Sequence, residues 1–400
     1  MLPTALRYTL ALCGVALLAL PAMAQSSSDA AVRSYWTSER LRNAIPMDHH
    51  PAALGADGLP ASAEPKANMS IPDAISTGPE RATTPNLPAS SPGAPPSAST
   101  AGRQSQLYQP KSTAMAFSVT PDATTTAYKK PFTTFRVFPK SGSTAAVLNF
   151  PYSAVGHLFF TVTRSGGIDP PGDYQCSASV VKLRIVATAG HCVGSPKTAT
   201  GGNFFWYTNW LFIPADINGT APYGSWTAFS KGVSGPWSSG NGSLPNSEDW
   251  GFLAMNDGGD GVSGSKLGNV TGTLGYFTLS LASNNLVTLG YPANLDNAAY
   301  MEQNQGATVA AGNNNTWTIG SAMGAGSSGG PWIMNFGEAP KCNGPCLVAN
   351  GSTNTLGGNY VVAVDSYGPS SGVGYSGASQ FNTHWTNLLT TMCGKKAGSC

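Results

Sequence analysis

Residues 178–192 read ASVVKLRIVATAGHC, and the interpretation of the whole chain turns on them. Val180, Val181, Leu183, Ile185 and Val186 supply the branched and apolar side chains that suit a pleated strand. The run ends on Gly190-His191-Cys192, an imidazole between a glycine and a cysteine. Similar short runs recur at 155–163 (VGHLFFTVT), 250–255, 285–290 (NLVTLG) and 359–365 (NYVVAVD), separated by Gly, Asn and Pro clusters. Many short strands at this spacing predict an all-β unit, a barrel or a sandwich, over about 140–400. One helical stretch is expected at 380–392, where Phe381, Trp385, Leu388 and Leu389 share a face at i, i+4, i+7 and i+8. No repeat of solenoid spacing is present.

Outward from this region the composition changes. Residues 1–24 combine Arg7, an apolar stretch from Leu10 to Leu20 and the small-residue site Ala22-Met23-Ala24. That is the pattern of a signal peptide, and the apolar stretch is too short for a bilayer span of about 20 residues. Residues 25–135 read as a poorly ordered leader. Within it, 51–103 is rich in Pro, Ala, Ser and Gly and has too few large apolar side chains to offset the entropy of ordering. Charged residues are only 10% of the chain, and 21 basic side chains nearly balance 19 acidic ones. There is therefore no basic excess to hold nucleic acid. Cys13 leaves with the signal peptide, so six cysteines remain: Cys176, Cys192, Cys342, Cys346, Cys393 and Cys400. An even number in an exported chain reads as disulfides. The last four allow three pairings, of which the local clips Cys342–Cys346 and Cys393–Cys400 are favoured.

Three short motifs carry chemistry. In Gly326-Ser327-Ser328-Gly329-Gly330-Pro331 a serine sits among glycines. A serine hydroxyl attacks a carbonyl only when a base takes its proton and N–H groups await the oxyanion. The glycines let the N–H groups of Gly326 and Ser328 point into one hole. Read alone, the motif could equally be a plain Gly/Ser turn like Ser238-Ser239-Gly240. His191 is the candidate base, and a bridge between Cys176 and Cys192 would fix its loop against the preceding strand. His49 and His50 lie in the leader, His157 reads as an ordinary strand residue and His384 as a helix residue. Asp249, in SEDWGFL (247–253), precedes an apolar strand and is the carboxylate to orient the imidazole, with Glu248 as its neighbouring competitor.

TAGHC, DWGFL and GSSGGP, in that order, resemble the trypsin- and chymotrypsin-like serine endopeptidases, most nearly the bacterial secreted glutamyl-endopeptidase-like (V8-like) members. Phe150-Pro151-Tyr152-Ser153-Ala154-Val155-Gly156 and Leu289-Gly290-Tyr291-Pro292 resemble elements of the same proteins. The resemblance covers about 140–392. It implies two six-stranded antiparallel β-barrels with a cleft between them and a C-terminal helix, with the protease domain at 136–400. It also implies His191, Asp249 and Ser328 as a triad, with an oxyanion hole from the N–H groups of Gly326 and Ser328. The reaction needs no cofactor and no metal. The partner is a protein or peptide substrate, the expected state a monomer, and the expected location extracellular, or periplasmic in transit, with no membrane attachment after signal cleavage. The leader then reads as a propeptide in preference to a permanent linker, because an exported protease must stay inactive until it leaves the cell.

Two departures from the resembled pattern matter. The trypsin branch has an Asp immediately before the nucleophile that pairs with the new N-terminus, and this chain has Ser327. Activation is therefore expected to need removal of an occluding leader and no buried α-amino group. The specificity pocket is expected near Ala322 at its base, with Ser366-Tyr367-Gly368 as its wall. Ala322 offers no charge, and Asp365 stands where glutamate-specific relatives have a histidine. A carboxylate there would repel a glutamate before the scissile bond, so glutamate specificity is not expected, and Asp365 would instead attract Lys or Arg if it faced the pocket. The competing readings are a protease-like binding protein without activity and an all-β adhesion module with chance motifs.

Overall fold

The computed structural model describes residues 29–50, 131–137, 146–197, 202–282, 284–310, 315–337, 358–369 and 374–400. The expected signal peptide and the Cys342–Cys346 clip lie outside them. Twelve strands build two barrels. The first holds β1 (Val155–Val162), β2 (Gly172–Val180), β3 (Ile185–Thr188), β4 (Thr208–Pro214), β5 (Trp226–Val233) and β6 (Gly251–Met255). They pair in the order β2-β1-β4-β5-β6-β3, and β3 closes back on β2. The second holds β7 (Asn285–Gly290), β8 (Glu302–Ala310), β9 (Thr316–Ser321), β10 (Pro331–Met334), β11 (Tyr360–Tyr367) and β12 (Gly374–Gln380). Their order is β11-β10-β7-β8-β9-β12, closed by β12 on β11. All neighbours within each barrel are antiparallel. Closure leaves no unpaired edge, which is how a chain of short strands satisfies its backbone without a flanking helix layer.

Every residue of β1 is buried. A strand alternates its faces, so something must cover the outer one. Leu158, Phe160 and Val162 point to the main core. Phe159, with Leu211 and Ile213 of β4, instead meets Trp36, Leu41 and Ala44. The leader is therefore the cover. This corrects the expectation that 25–135 lacks fixed structure throughout. Residues 29–50 carry Trp36, Leu41 and Met47, which bury enough apolar surface to order the segment. The polar margins are fixed as well. Trp36 Nε1 donates to Asn209 O at 2.5 Å, the Tyr35 hydroxyl donates to Asp173 Oδ1 at 2.6 Å, and Arg33 donates to Ser225 O at 2.6 Å. Residues Phe132–Arg136 add a strand beside β8, so the second barrel's sheet begins just before the expected boundary at 136.

The C-terminal helix spans Thr383–Cys393. Asn382 caps it by accepting the N–H groups of His384 and Trp385. Trp385 stacks on Phe381 at 4.1 Å and packs against Phe252 of β6. Disulfides join Cys176 to Cys192 and Cys393 to Cys400.

Candidate active site

β3 and β6 run antiparallel with Gly251 opposite Thr188. The residues just after Thr188 and just before Gly251 therefore emerge side by side at one end of the first barrel. That register brings His191 to Asp249 although 58 residues separate them in the chain. Nδ1 of His191 lies 2.7 Å from Asp249 Oδ2, and the His191 backbone N–H donates to Oδ1 at 2.9 Å. The hydroxyl of Ser366, from the second barrel, donates to Oδ2 at 2.6 Å. Asp249 is fully buried, which by itself would raise its pKa. The adjacent imidazole, the Ser366 hydroxyl and the backbone N–H outweigh that, and its carboxyl is held below the ordinary value. The Cys176–Cys192 bridge anchors the loop, and Trp237 backs the imidazole at 6.1 Å.

Ser328 stands on the turn between β9 and β10. Ser177 of the first barrel holds that turn at two points: its N–H donates to Ser328 O at 2.7 Å, and its hydroxyl donates to Gly326 O at 2.9 Å. Cys192 Sγ lies 3.9 Å from Ser328 O, and a ring nitrogen of His191 lies within 4.8 Å of that sulfur. Two glycines are required here. Gly326 has φ +93°, and a Cβ on it would meet Tyr291 O at 2.7 Å; a Cβ on Gly329, at φ +80°, would meet Thr188 Oγ1 at 2.0 Å. Among the described residues, neither the Ser328 hydroxyl nor Nε2 of His191 forms a hydrogen bond.

Two closed six-stranded barrels meet at this cleft, with histidine and aspartate on one and serine on the other. The chain has the chymotrypsin-like fold. No protein family profile and no curated sequence matches it. Among solved structures it is similar to the protease Anisep from Arthrobacter nicotinovorans, at 28% identity over 61% of this chain and 96% of that one, with a TM-score of 0.46. It is similar to the thermostable serine protease AL20 from an extremophilic microorganism, at 22% identity over 61% and 98%, with a TM-score of 0.48. It is also similar to a Glu endopeptidase, at 15% identity over 66% and 97%, with a TM-score of 0.44.

The expected pocket residues fall in different settings. Ser366 is not a free wall residue, because its hydroxyl is committed to Asp249. Ala322 is partly exposed; its N–H donates to Thr134 Oγ1 at 3.1 Å and its carbonyl accepts Asn294 Nδ2 at 2.8 Å. Asp365 is buried beneath the Ser328 turn, so the expectation of a carboxylate open to a cationic side chain is replaced by an internal role. The Ser327 hydroxyl has one hydrogen but two oxygen neighbours, Gly324 O at 2.8 Å and Asp365 Oδ2 at 2.6 Å. Both contacts are bonds when Asp365 carries the second proton and donates it to Ser327. Burial agrees, raising the Asp365 carboxyl to about 7. Gly368 keeps both backbone groups turned outward, and both are taken by the leader. Its N–H donates to His49 O at 3.1 Å, and its carbonyl lies 3.2 Å from His50 Nδ1.

His49 is the site residue that sequence reasoning set aside. Its ring centroid lies 4.5 Å from that of His191, and its Nε2 is 3.4 Å from Asp169 Oδ1. The available signal was its company: an aromatic and apolar set, Trp36, Leu41 and Met47, that the Pro-rich segment after it lacks.

Proposed function

We propose that the chain is a secreted serine endopeptidase, made with a signal peptide and an inhibitory leader. The observation that carries the reading is the Asp249–His191 pair on one barrel close to the Ser328 turn on the other, with the Cys192 sulfur within 4.8 Å of the imidazole and 3.9 Å from Ser328 O. Ser328 Oγ attacks the scissile carbonyl while His191 Nε2 takes its proton. Asp249 keeps the second imidazole proton on Nδ1 and stabilises the imidazolium. The N–H groups of Gly326 and Ser328 receive the oxyanion. His191 then returns the proton to the leaving amine, and water repeats the sequence to release the acyl group. Protein or peptide is the substrate, and each proton in the cycle is handled by a named side chain. Asp365, being buried and bonded to Ser327, neither grips a basic side chain nor offers a glutamate the positive partner it needs. An uncharged residue before the scissile bond is the expected preference. A clear glutamate preference in a peptide library would refute that part.

The test is casein hydrolysis by the leader-free protein beside its Ser328→Ala variant, with fluorophosphonate labelling of Ser328. Hydrolysis and labelling that both vanish in the variant are expected. A folded protein that neither cuts nor labels would instead be a protease-like binding protein.

A further inference from the structure

The segment 44–50 lies in the cleft itself. Its short strand Ile45–Pro46 pairs with β2 in parallel, Ile45 opposite Tyr174 and Pro46 opposite Gln175. Met47 N donates to Gln175 O at 3.0 Å. Gly326 N, one of the two expected oxyanion donors, then donates to Met47 O at 2.9 Å. Two residues later Gly368 N donates to His49 O, and the His49 ring covers that of His191. The Met47 side chain is 1% exposed and belongs to the main core.

The direction of this chain matters. On the endopeptidase reading, whose resemblance makes Ser366–Gly368 the wall of the pocket, the residues of a substrate before the scissile bond run along that wall and lead into the oxyanion hole. Those after it leave on the far side. Segment 44–50 runs the opposite way, from β2, through Gly326, to Gly368. At the Met47 carbonyl, the amide nitrogen of Asp48 therefore leads toward the wall and not toward the leaving side. The acyl group and the leaving amine are exchanged relative to a substrate. The carbonyl occupies a donor that catalysis needs, but it is not presented for cleavage.

We infer that the cleft is a binding site for residues 29–50 in reversed polarity, an uncut peptide inhibitor that stays bound after the chain behind it is severed. The inference rests on the endopeptidase reading for its consequence, inhibition, but not for the binding itself. Two anchors hold the segment independently of any downstream connection. The first is the backbone bonds at Gln175, Gly326 and Gly368. The second is the apolar clamp of Trp36 and Leu41 on Phe159, Leu211 and Ile213, tied at its margin by the bond from Arg40 to Asp173 at 2.7 Å. A tether raises the effective concentration of a ligand at its site. Cutting the tether releases a ligand only when the remaining contacts are weak, and here they span the helix Ser38–Asn43 and the strand Ile45–Pro46. Activation is thus a two-step process. A cut in the 51–130 region comes first, and loss or digestion of 29–50 follows.

The experiment uses the full chain. Cleavage between residues 51 and 130 by an added lysine-specific protease is followed by gel filtration and by fluorophosphonate labelling of Ser328. The expected result is a severed chain whose 29–50 fragment co-elutes with the barrels, with Ser328 still unlabelled. In the unsevered chain, Trp36→Ala with His49→Ala is expected to raise labelling at least about tenfold, the scale of losing one to two kcal/mol of contact. Mass spectrometry of that more reactive variant after long incubation should find the bonds within 44–50 intact. A fragment that departs on cleavage overturns the inference, as does full-chain labelling equal to that of the variant. A cut at Met47–Asp48 overturns the reversed polarity. If neither form labels while thermal melting shows an intact fold, the endopeptidase reading fails, and co-elution still decides whether the segment binds.

Discussion

Among the described residues, a histidine Nδ1 meets an aspartate Oδ2 in two places. His191 faces Asp249 at 2.7 Å, and His157 faces Asp216 at 3.0 Å, each through Nδ1 and Oδ2 and each almost wholly out of solvent. Only their settings differ. His157 lies in the middle of β1, opposite Ser177 on one side and Ile213 on the other. Its ring is stacked on Tyr291 at 4.6 Å and tilted against Phe159 at 4.5 Å. Asp216 spends its other oxygen on the N–H of Gly219, closing a turn. His191 comes after the end of its strand, at the cleft, and its carboxylate is bridged to the opposite barrel by Ser366. A buried histidine–carboxylate pair is therefore not a function by itself. It becomes one where the remaining imidazole nitrogen can reach a nucleophile and a substrate.

The contrast can be broken most directly at Ser328, the proposed nucleophile. Ser328→Ala should lower casein turnover by on the order of 10⁴ or more while leaving the melting temperature unchanged. Next comes the carboxylate of the cleft pair. Asp249→Asn should cost about 10³–10⁴ in kcat, because an amide in place of an oxygen favours the wrong imidazole tautomer. Asp216→Asn sharpens the comparison from the other side. It should destabilise the protein by about 1–3 kcal/mol in urea unfolding, as expected for a spoiled buried hydrogen bond, with kcat per folded molecule unaltered. If instead it abolished turnover and left stability intact, the roles assigned to the two pairs would have to be exchanged.

A further prediction concerns Asp365. Its carboxyl sits at about 7 in the folded chain against 3.8 ordinarily. Between those values the folded state binds the extra proton, so this group makes stability fall as pH rises from 3.8 to about 7, and the penalty persists above that. Asp249 is the charge that adds to this shift, and Ser327, Trp332 and Ser376 are the polar groups that oppose it. Asp365→Asn should reduce that slope, leaving the part due to Glu302, whose carboxyl burial raises to about 8, and melting temperatures at pH 5 and pH 8 would reveal the reduction. An unchanged difference between the two would exclude the proton-carrying bond to Ser327.

Much of this was legible in the chain. The glycines of 326–330, the TAGHC stretch and the apolar runs specify local geometry. A strand's side-chain alternation and a glycine's tolerance of positive φ belong to single residues and their neighbours. The terminal helix showed in its periodicity for the same reason. The leader was misjudged because its Pro-rich portion dominates the composition, while the order of 29–50 depends on a hydrophobic face of β1 and β4 that becomes a surface only after the barrel closes. Asp365 was assigned toward a pocket because strand position alone does not say which buried partner a carboxylate will find.

Short-range preferences and motif order were enough to read the strands, the turns and the candidate triad of Ser328, His191 and Asp249 from the chain alone. Only the folded chain shows which histidine–aspartate pair lies beside the Ser328 turn, that Asp365 is buried against Ser327, and that residues 44–50 bond to Gln175, Gly326 and Gly368. Those depend on strand register and barrel closure, which bring together groups that lie tens to hundreds of residues apart and have no signature within any one stretch of chain.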